Sequence, residues 1–277
     1  LHQMSTPWGS VLKSGKVLRP ITTDPTRHFY GHGSYSTDGH HLYSTETILN
    51  SEEGVIVQRN SKTMAIEGLF PTYGANPHDC KLIENGTILA ITNGGATNGK
   101  PESIPCVSYV DVKTHKLVKQ HKMMDPHFNT GHLIISQNQQ LVVSSAPHPS
   151  LPFSDPGAIS VVDSDGTLKN LNTDAAHASL KSETLSLCID EARGIVATTS
   201  PAGNSVTFWN LKTGELVSSL ELPSPRGIVM TADNRYYAIS YGKKSDLLLV
   251  DADTRKKTDL EIPQAGYSGS HLYLLNS

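Results

Sequence analysis

"SYVDVKTHKLV", Ser108 to Val118, runs from an alternating strand through an aspartate and a turn into a second apolar start. Two more stretches have the same form: "TFWNLKTGELV" (Thr207 to Val217) and "LLVDADTRKKT" (Leu248 to Thr258). Each reads as a hairpin, and each follows an earlier strand pair, as in "HDCKLIENGTILAITNG" and "TLSLCIDEARGIVATTS". The repeating unit is therefore four short strands, the hairpin being its outer half. Between the hairpins, "QLVVSSA", "GAISVVDSDG", "SVTFWN" and "YYAISYG" are rich in β-branched and aromatic residues and are punctuated by Gly, Asn, Asp and Pro. No stretch keeps a helical stripe, so the chain reads as all-β.

Aligning the first strand of every unit puts His32, His78, His132, Glu183, Arg226 and His271 at equivalent places, at intervals of 46, 54, 51, 43 and 45 residues. Four strands per unit and a period of roughly 40 to 50 residues are the mark of a β-propeller. The expected fold is one propeller domain over residues 1–277, with six visible blades and room for a seventh. Its last unit stops after "HLYLLNS", so the expected closure borrows outer strands from the N-terminal "WGSVLKSGKVLRP". Such a ring leaves few free sheet edges. The start at Leu1 rather than Met fits a processed chain or a fragment.

The composition narrows the function classes. A net charge of −3 with no basic stripe argues against nucleic acid as a partner. No apolar run reaches the roughly 18 residues that a membrane-spanning helix needs. The three cysteines, Cys80, Cys106 and Cys188, form no C-x-x-C and fall on strands too far apart to bridge. "GGATNGKP" breaks the phosphate-loop pattern at Pro101, and "GYSGS" misses the nucleophile-elbow pattern.

Several segments together carry a resemblance: "RHFYGHG" with the following "TE", "NPHDCKLIENGTILAITNGG", "GHLII", "VATTSPAGNSVTFWNLKTGELV" and "SHLYLL". They resemble the bacterial family known as domain of unknown function 1513, over nearly the whole chain. The resemblance implies an exported, periplasmic propeller associated with imelysin-like and iron-uptake proteins, and so a link to metal handling. Asp79 stands where that family usually has glutamate after the histidine of "PHE".

In a propeller the first strands line the central channel, so residues at their heads face the axis. His32, His78, His132 and His271 are consecutive in blade order across the closure, and neutral imidazole suits iron, copper, zinc and nickel. These four are the candidate metal ligands. Glu183 and Arg226 on the other arc are candidates for ligand binding, and His28 for a supporting partner. The same histidines also fit a hydrogen-bonded plug. Alternation along the strand turns Asp79 away from the channel. His40, His41, His115, His121 and His127 fall in turns or connections, where exposure is expected.

Three functions are compatible with this pattern. The first is a periplasmic protein holding a transition metal (Fe, Cu or Zn) or metal complex in iron or copper homeostasis. Another is an enzyme of the lactonase or quinoprotein-like type, with no catalytic residue singled out beyond the same channel groups. The last is a scaffold docking an imelysin-like or cytochrome-type periplasmic partner.

Overall fold

In the computed structural model the described residues are 8–13, 16–96, 104–148, 151–152, 154–171, 179–265 and 271–273. Trp8–Lys13 (β1) and Lys16–Thr22 (β2) form an antiparallel hairpin. Then come five four-stranded antiparallel sheets, each built from strands consecutive in sequence. The first is Arg27–Tyr35 (β3), His41–Ile48 (β4), Glu53–Asn60 (β5) and Ile66–Ala75 (β6). The second is Pro77–Ile83 (β7), Ile88–Asn93 (β8), Cys106–Asp111 (β9) and Leu117–Lys122 (β10). The third is Leu133–Ile135 (β11), Leu141–Ser145 (β12), Ala158–Val162 (β13) and Leu168–Asn170 (β14). Ser186–Asp190 (β15), Ile195–Ser200 (β16), Ser205–Asn210 (β17) and Leu216–Glu221 (β18) make the fourth. Ile228–Met230 (β19), Tyr236–Tyr241 (β20), Asp246–Asp251 (β21) and Lys257–Ile262 (β22) make the fifth. The expected strand "SVTFWN" is β17 residue for residue. Most of "HLYLLNS" and all of "GYSGS" lie outside the described residues, as does "GGATNGKP" from residue 97.

The chain falls into two compact units, Leu1–Leu133 with Gly166–Leu168, and Ile134–Asp165 with Lys169–Ser277. In the first, Tyr43, Ile56, Phe70, Cys80, Leu89, Ile91 and Val110 form a buried cluster drawn from β4 to β9. In the second, Cys188, Ala197, Val206, Phe208, Ile228, Tyr237, Ile239 and Val250 do the same from β15 to β21. Period-two alternation survives on the solvent-side strand β18, but β8 and β16 are buried at all six positions. Both faces of these second strands are covered, so "ILAITN" and "IVATTS" have no polar face to show, and Thr92, Thr199 and Ser200 donate their hydroxyls to backbone carbonyls. All three thiols are free and buried, on β7, β9 and β15.

Among the described residues the hairpin of Ser108 to Val118 occurs four times, once more than its sequence form. Asp111, Asn210 and Asp251 each close the turn with a side-chain oxygen on the N–H groups that follow, and Asn60 does the same for Lys62 and Thr63. The fifth residue of each turn, Met64, His115, Gly214 or Arg255, donates its N–H to the first residue's carbonyl at 2.8 Å. Each also has φ between 58° and 73°. A threonine precedes all four. His115 is not an exposed turn residue: its ring stacks on Phe70 at 4.3 Å between centroids. His121 lies on β10 rather than in a connection, with Nδ1 2.7 Å from the Gly166 carbonyl.

Candidate metal centre

In the first unit the middle of β3 lies beside the start of β7 because their backbones approach closely. A β-carbon on Gly31 would sit inside the His78 carbonyl group. Gly31 has no positive φ, so its glycine is needed for this close approach and not for the tight turn that "YGHG" suggests. Threonines on the second strands stitch the same region: Thr45 donates to the His32 carbonyl at 2.9 Å, and Thr92 donates to the Gly131 carbonyl at 2.5 Å.

This packing brings three of the expected residues together. His32 (β3), His78 (β7) and His132, just before β11, have ring centroids 4.6 to 5.4 Å apart. The Nε2 atoms of His78 and His132 face each other at 3.3 Å. His32 and His132 offer ligand nitrogens within 4.8 Å of one another. His78 and His132 are buried. Burial and the neighbouring His132 charge drive the His32 imidazole down to about 4, against the opposing pull of Asp79. His32 is therefore neutral at pH 7, the state in which imidazole binds metal.

Asp79 corrects the expectation from strand alternation. The register between β7 and β8 shifts between Pro77 and Cys80, and the shift turns the Asp79 side chain inward. Its Oδ2 lies 3.7 Å from His132 Nδ1 and accepts the Leu133 N–H at 3.2 Å, while Oδ1 accepts the Cys80 N–H at 2.8 Å. Burial works against ionisation of this carboxyl, but His132, Lys81 and His32 hold it well below the usual carboxylate range. A charge almost free of solvent thus stands behind one of the three imidazoles. No strand-period rule finds it, because a register shift is not visible as a gap in alternation.

His28 sits on β3 with both ring nitrogens buried and without hydrogen-bond partners, and burial lowers its pKa against the opposing pull of Glu46. It meets the cluster through Tyr30, whose ring is 5.7 Å from His28 and 6.3 Å from His78. The "TE" segment contributes an ion triad that the sequence reading left unassigned. Glu46, fully buried on β4, binds Arg59 at 2.7 Å and Arg27 at 3.0 Å. Removing one member of such a group leaves an unpaired buried charge, so its role is to fix β3, β4 and β5.

The remaining candidates belong to the second unit. Glu183 precedes β15 rather than starting it, and its carbonyl accepts from Ser200 at 3.2 Å. Arg226 precedes β19, where its carbonyl accepts from Thr199 at 2.5 Å and its N–H donates to Ser240. His271 is half-buried, and a β-carbon on Gly227 would collide with its backbone, a close approach of the Gly31 kind.

The architecture is that of an all-β protein of successive four-stranded antiparallel sheets, propeller-like in kind. It is similar to a chain in the crystal structure of a mitotic checkpoint complex, with a TM-score of 0.67 and 13% identity, covering 95% of this chain and 75% of that one. At that identity the likeness concerns the fold alone. The family profile that matches residues 10–272 is described as a protein of unknown function, DUF1513, and the chain belongs to that family. No curated protein matches it. Among the described residues no helix is long and apolar enough to cross a membrane.

Proposed function

We propose that this chain is a periplasmic metal-binding protein that holds a transition-metal ion or complex at the His32, His78 and His132 cluster, in the service of metal homeostasis. The observation that carries the reading is the packing of the His32, His78 and His132 rings against one another, with two Nε2 atoms 3.3 Å apart and a carboxylate oxygen 3.7 Å from one ring. Here nitrogen faces nitrogen, an arrangement in which a shared cation satisfies both rings at once. The periplasmic setting and a docking partner of imelysin-like or cytochrome type are proposed from the family resemblance.

The finer architecture is proposed with it. The five sheets and the β1–β2 hairpin are the blades of a six-bladed propeller.

The test is metal analysis of untagged protein, followed by calorimetric titration of the metal-free protein with Cu(II), Zn(II) and Fe(II). The wild type binds one equivalent. His32→Ala weakens binding strongly, and a second change, His78→Ala, adds much less than its own single effect because the shared site is already broken. Equal affinity in the wild type and His32→Ala would leave the hydrogen-bonded plug as the role of these residues. His271→Ala, run alongside, tests the fourth histidine expected from the sequence.

A further inference from the structure

We infer that His28 and Thr47 form a separate enclosed site for one small uncharged molecule that both donates and accepts hydrogen bonds, an ordered water that bridges the two side chains. The inference is independent of the metal-binding reading above.

The register sets the pair. His28 on β3 and Thr47 on β4 are Cα partners in antiparallel strands, so their side chains leave the same face of the first sheet. Directly opposed β-carbons are about 4.5–5.5 Å apart. One molecule making two hydrogen bonds of about 2.8–3.0 Å each spans such a gap. Thr47 is 1% exposed, and its hydroxyl has no hydrogen-bond partner within the protein. Both ring nitrogens of His28 are buried and equally without a partner.

The same face is walled in. Thr47 is opposite Gly54 on β5, and a β-carbon on that glycine would fall on the Thr72 hydroxyl and against the Pro77 ring. Thr72 is itself fully buried. Tyr30 packs its ring against His28 at 5.7 Å between centroids. Bulk solvent therefore does not reach the polar atoms of the pair.

Chemistry selects the guest. Burial lowers the His28 pKa against the opposing pull of Glu46, so at pH 7 the neutral ring offers one N–H donor and one lone pair. The Thr47 hydroxyl can donate or accept. Glu46, next to Thr47 on β4, takes the opposite face, where both its oxygens bind Arg59 and Arg27. Among the described residues His28 belongs to no group of three histidine, cysteine or carboxylate side chains that could hold a metal ion. An uncharged guest suits this setting, and one water supplies donors and acceptors to the ring and the hydroxyl together. The ring so held is a fixed surface for Tyr30, whose own ring lies 6.3 Å from His78.

The test uses metal-free protein, so its outcome does not depend on whether the histidine cluster binds an ion. Oxygen-17 relaxation dispersion counts long-lived internal waters, and the wild type should show one more than Thr47→Val, in which a methyl replaces the hydroxyl. An equal count in the two proteins would overturn the inference. Urea unfolding gives a second reading through the sign of the change. With a bridging water, Thr47→Val and His28→Phe each lower the midpoint, and the double variant loses less than the sum because the first change already breaks the bridge. In a dry site Thr47→Val removes an unmet hydroxyl and raises the midpoint, which would refute the bridge. A reading on the wild type alone needs no variant to fold: the His28 ring N–H should show a through-space cross-peak to slowly exchanging water, and a ring N–H without one would count against the site.

Discussion

The third-to-fourth-strand hairpins and the heads of the first strands are both repeated features of this chain, yet they have gone opposite ways. At the hairpins one solution is used four times: an Asn or Asp oxygen on the following amides, a threonine, and a fifth residue at positive φ. At the first-strand heads the backbone placement repeats and the side chains do not, running from His32, His78 and His132 to Glu183 and Arg226. A turn is a local problem with one good answer, so it converges. A strand head that meets other strand heads can carry any side chain its neighbours tolerate, and that freedom is where chemistry enters.

The comparison is broken hardest by setting a glycine at the close approach within the cluster against one in an open turn. Gly31→Ala drives a β-carbon into the His78 backbone, which has no flexible end to give way, and should cost about 3 kcal/mol together with the loss of metal binding. Gly39→Ala, in the turn between β3 and β4, meets nothing within 4 Å, and only its φ of 71° resists the change. That variant should cost about 1 kcal/mol and bind metal normally. Urea midpoints and zinc titrations of the two proteins decide it; similar losses in both would mean that close approach is not what sets the strand heads apart.

What the sequence discloses follows the same division. Local patterns are readable: "SVTFWN" and "YYAISYG" each coincide with a strand to within one residue, and the three matching hairpins show the four-strand unit. The fourth, "NSKTM", is hidden because polar Gln58 and Arg59 precede Asn60 where the other three hairpins have two apolar or aromatic residues. His32, His78 and His132, whose rings pack together, are marked by their spacing, since equal register puts side chains at equal height. Asp79 was missed because one register shift reverses the face on which a residue lies. The Glu46 triad was missed for a different reason: Arg27 is a remote partner in sequence, and no periodicity encodes a pairing of charges across strands.

The second test sharpens the comparison through pH. Burial holds the His32 imidazole at about 4 in the folded chain, against about 6.5 for an imidazole in water. Between those values the unfolded chain takes up a proton that the folded one refuses, so the folded state loses stability as pH falls from about 6.5 and the loss levels off below about 4. Asp79 acts in a lower window: its depressed value means that its contribution, intact at neutral pH, is lost only as pH falls through the acid range below about 4. Metal-free protein should therefore show a declining urea midpoint from pH 7 to 4, and His32→Ala should flatten that decline. A profile that is level in the wild type, or unchanged in the variant, would show that burial does not hold His32 neutral.

The smallest expected effect comes from the histidine that most resembles a binding residue without being one. His115 is the fifth residue of its turn, φ 59°, and its ring lies nearly parallel to Phe70 at 12°. Its imidazole completes the packing over β6 and approaches none of the three strand heads that form the cluster within its unit. Alanine there removes a stacked pair worth about 0.5–1.5 kcal/mol and keeps the strain of a side chain at positive φ. Glycine removes the same stacking but relaxes the turn, so His115→Gly should be more stable than His115→Ala by about 1 kcal/mol. Zinc affinity should be the same in both variants as in the wild type. If either change weakened zinc binding tenfold, the division between hairpins that only fold and strand heads that bind would fail at the point where the two regions share a residue type.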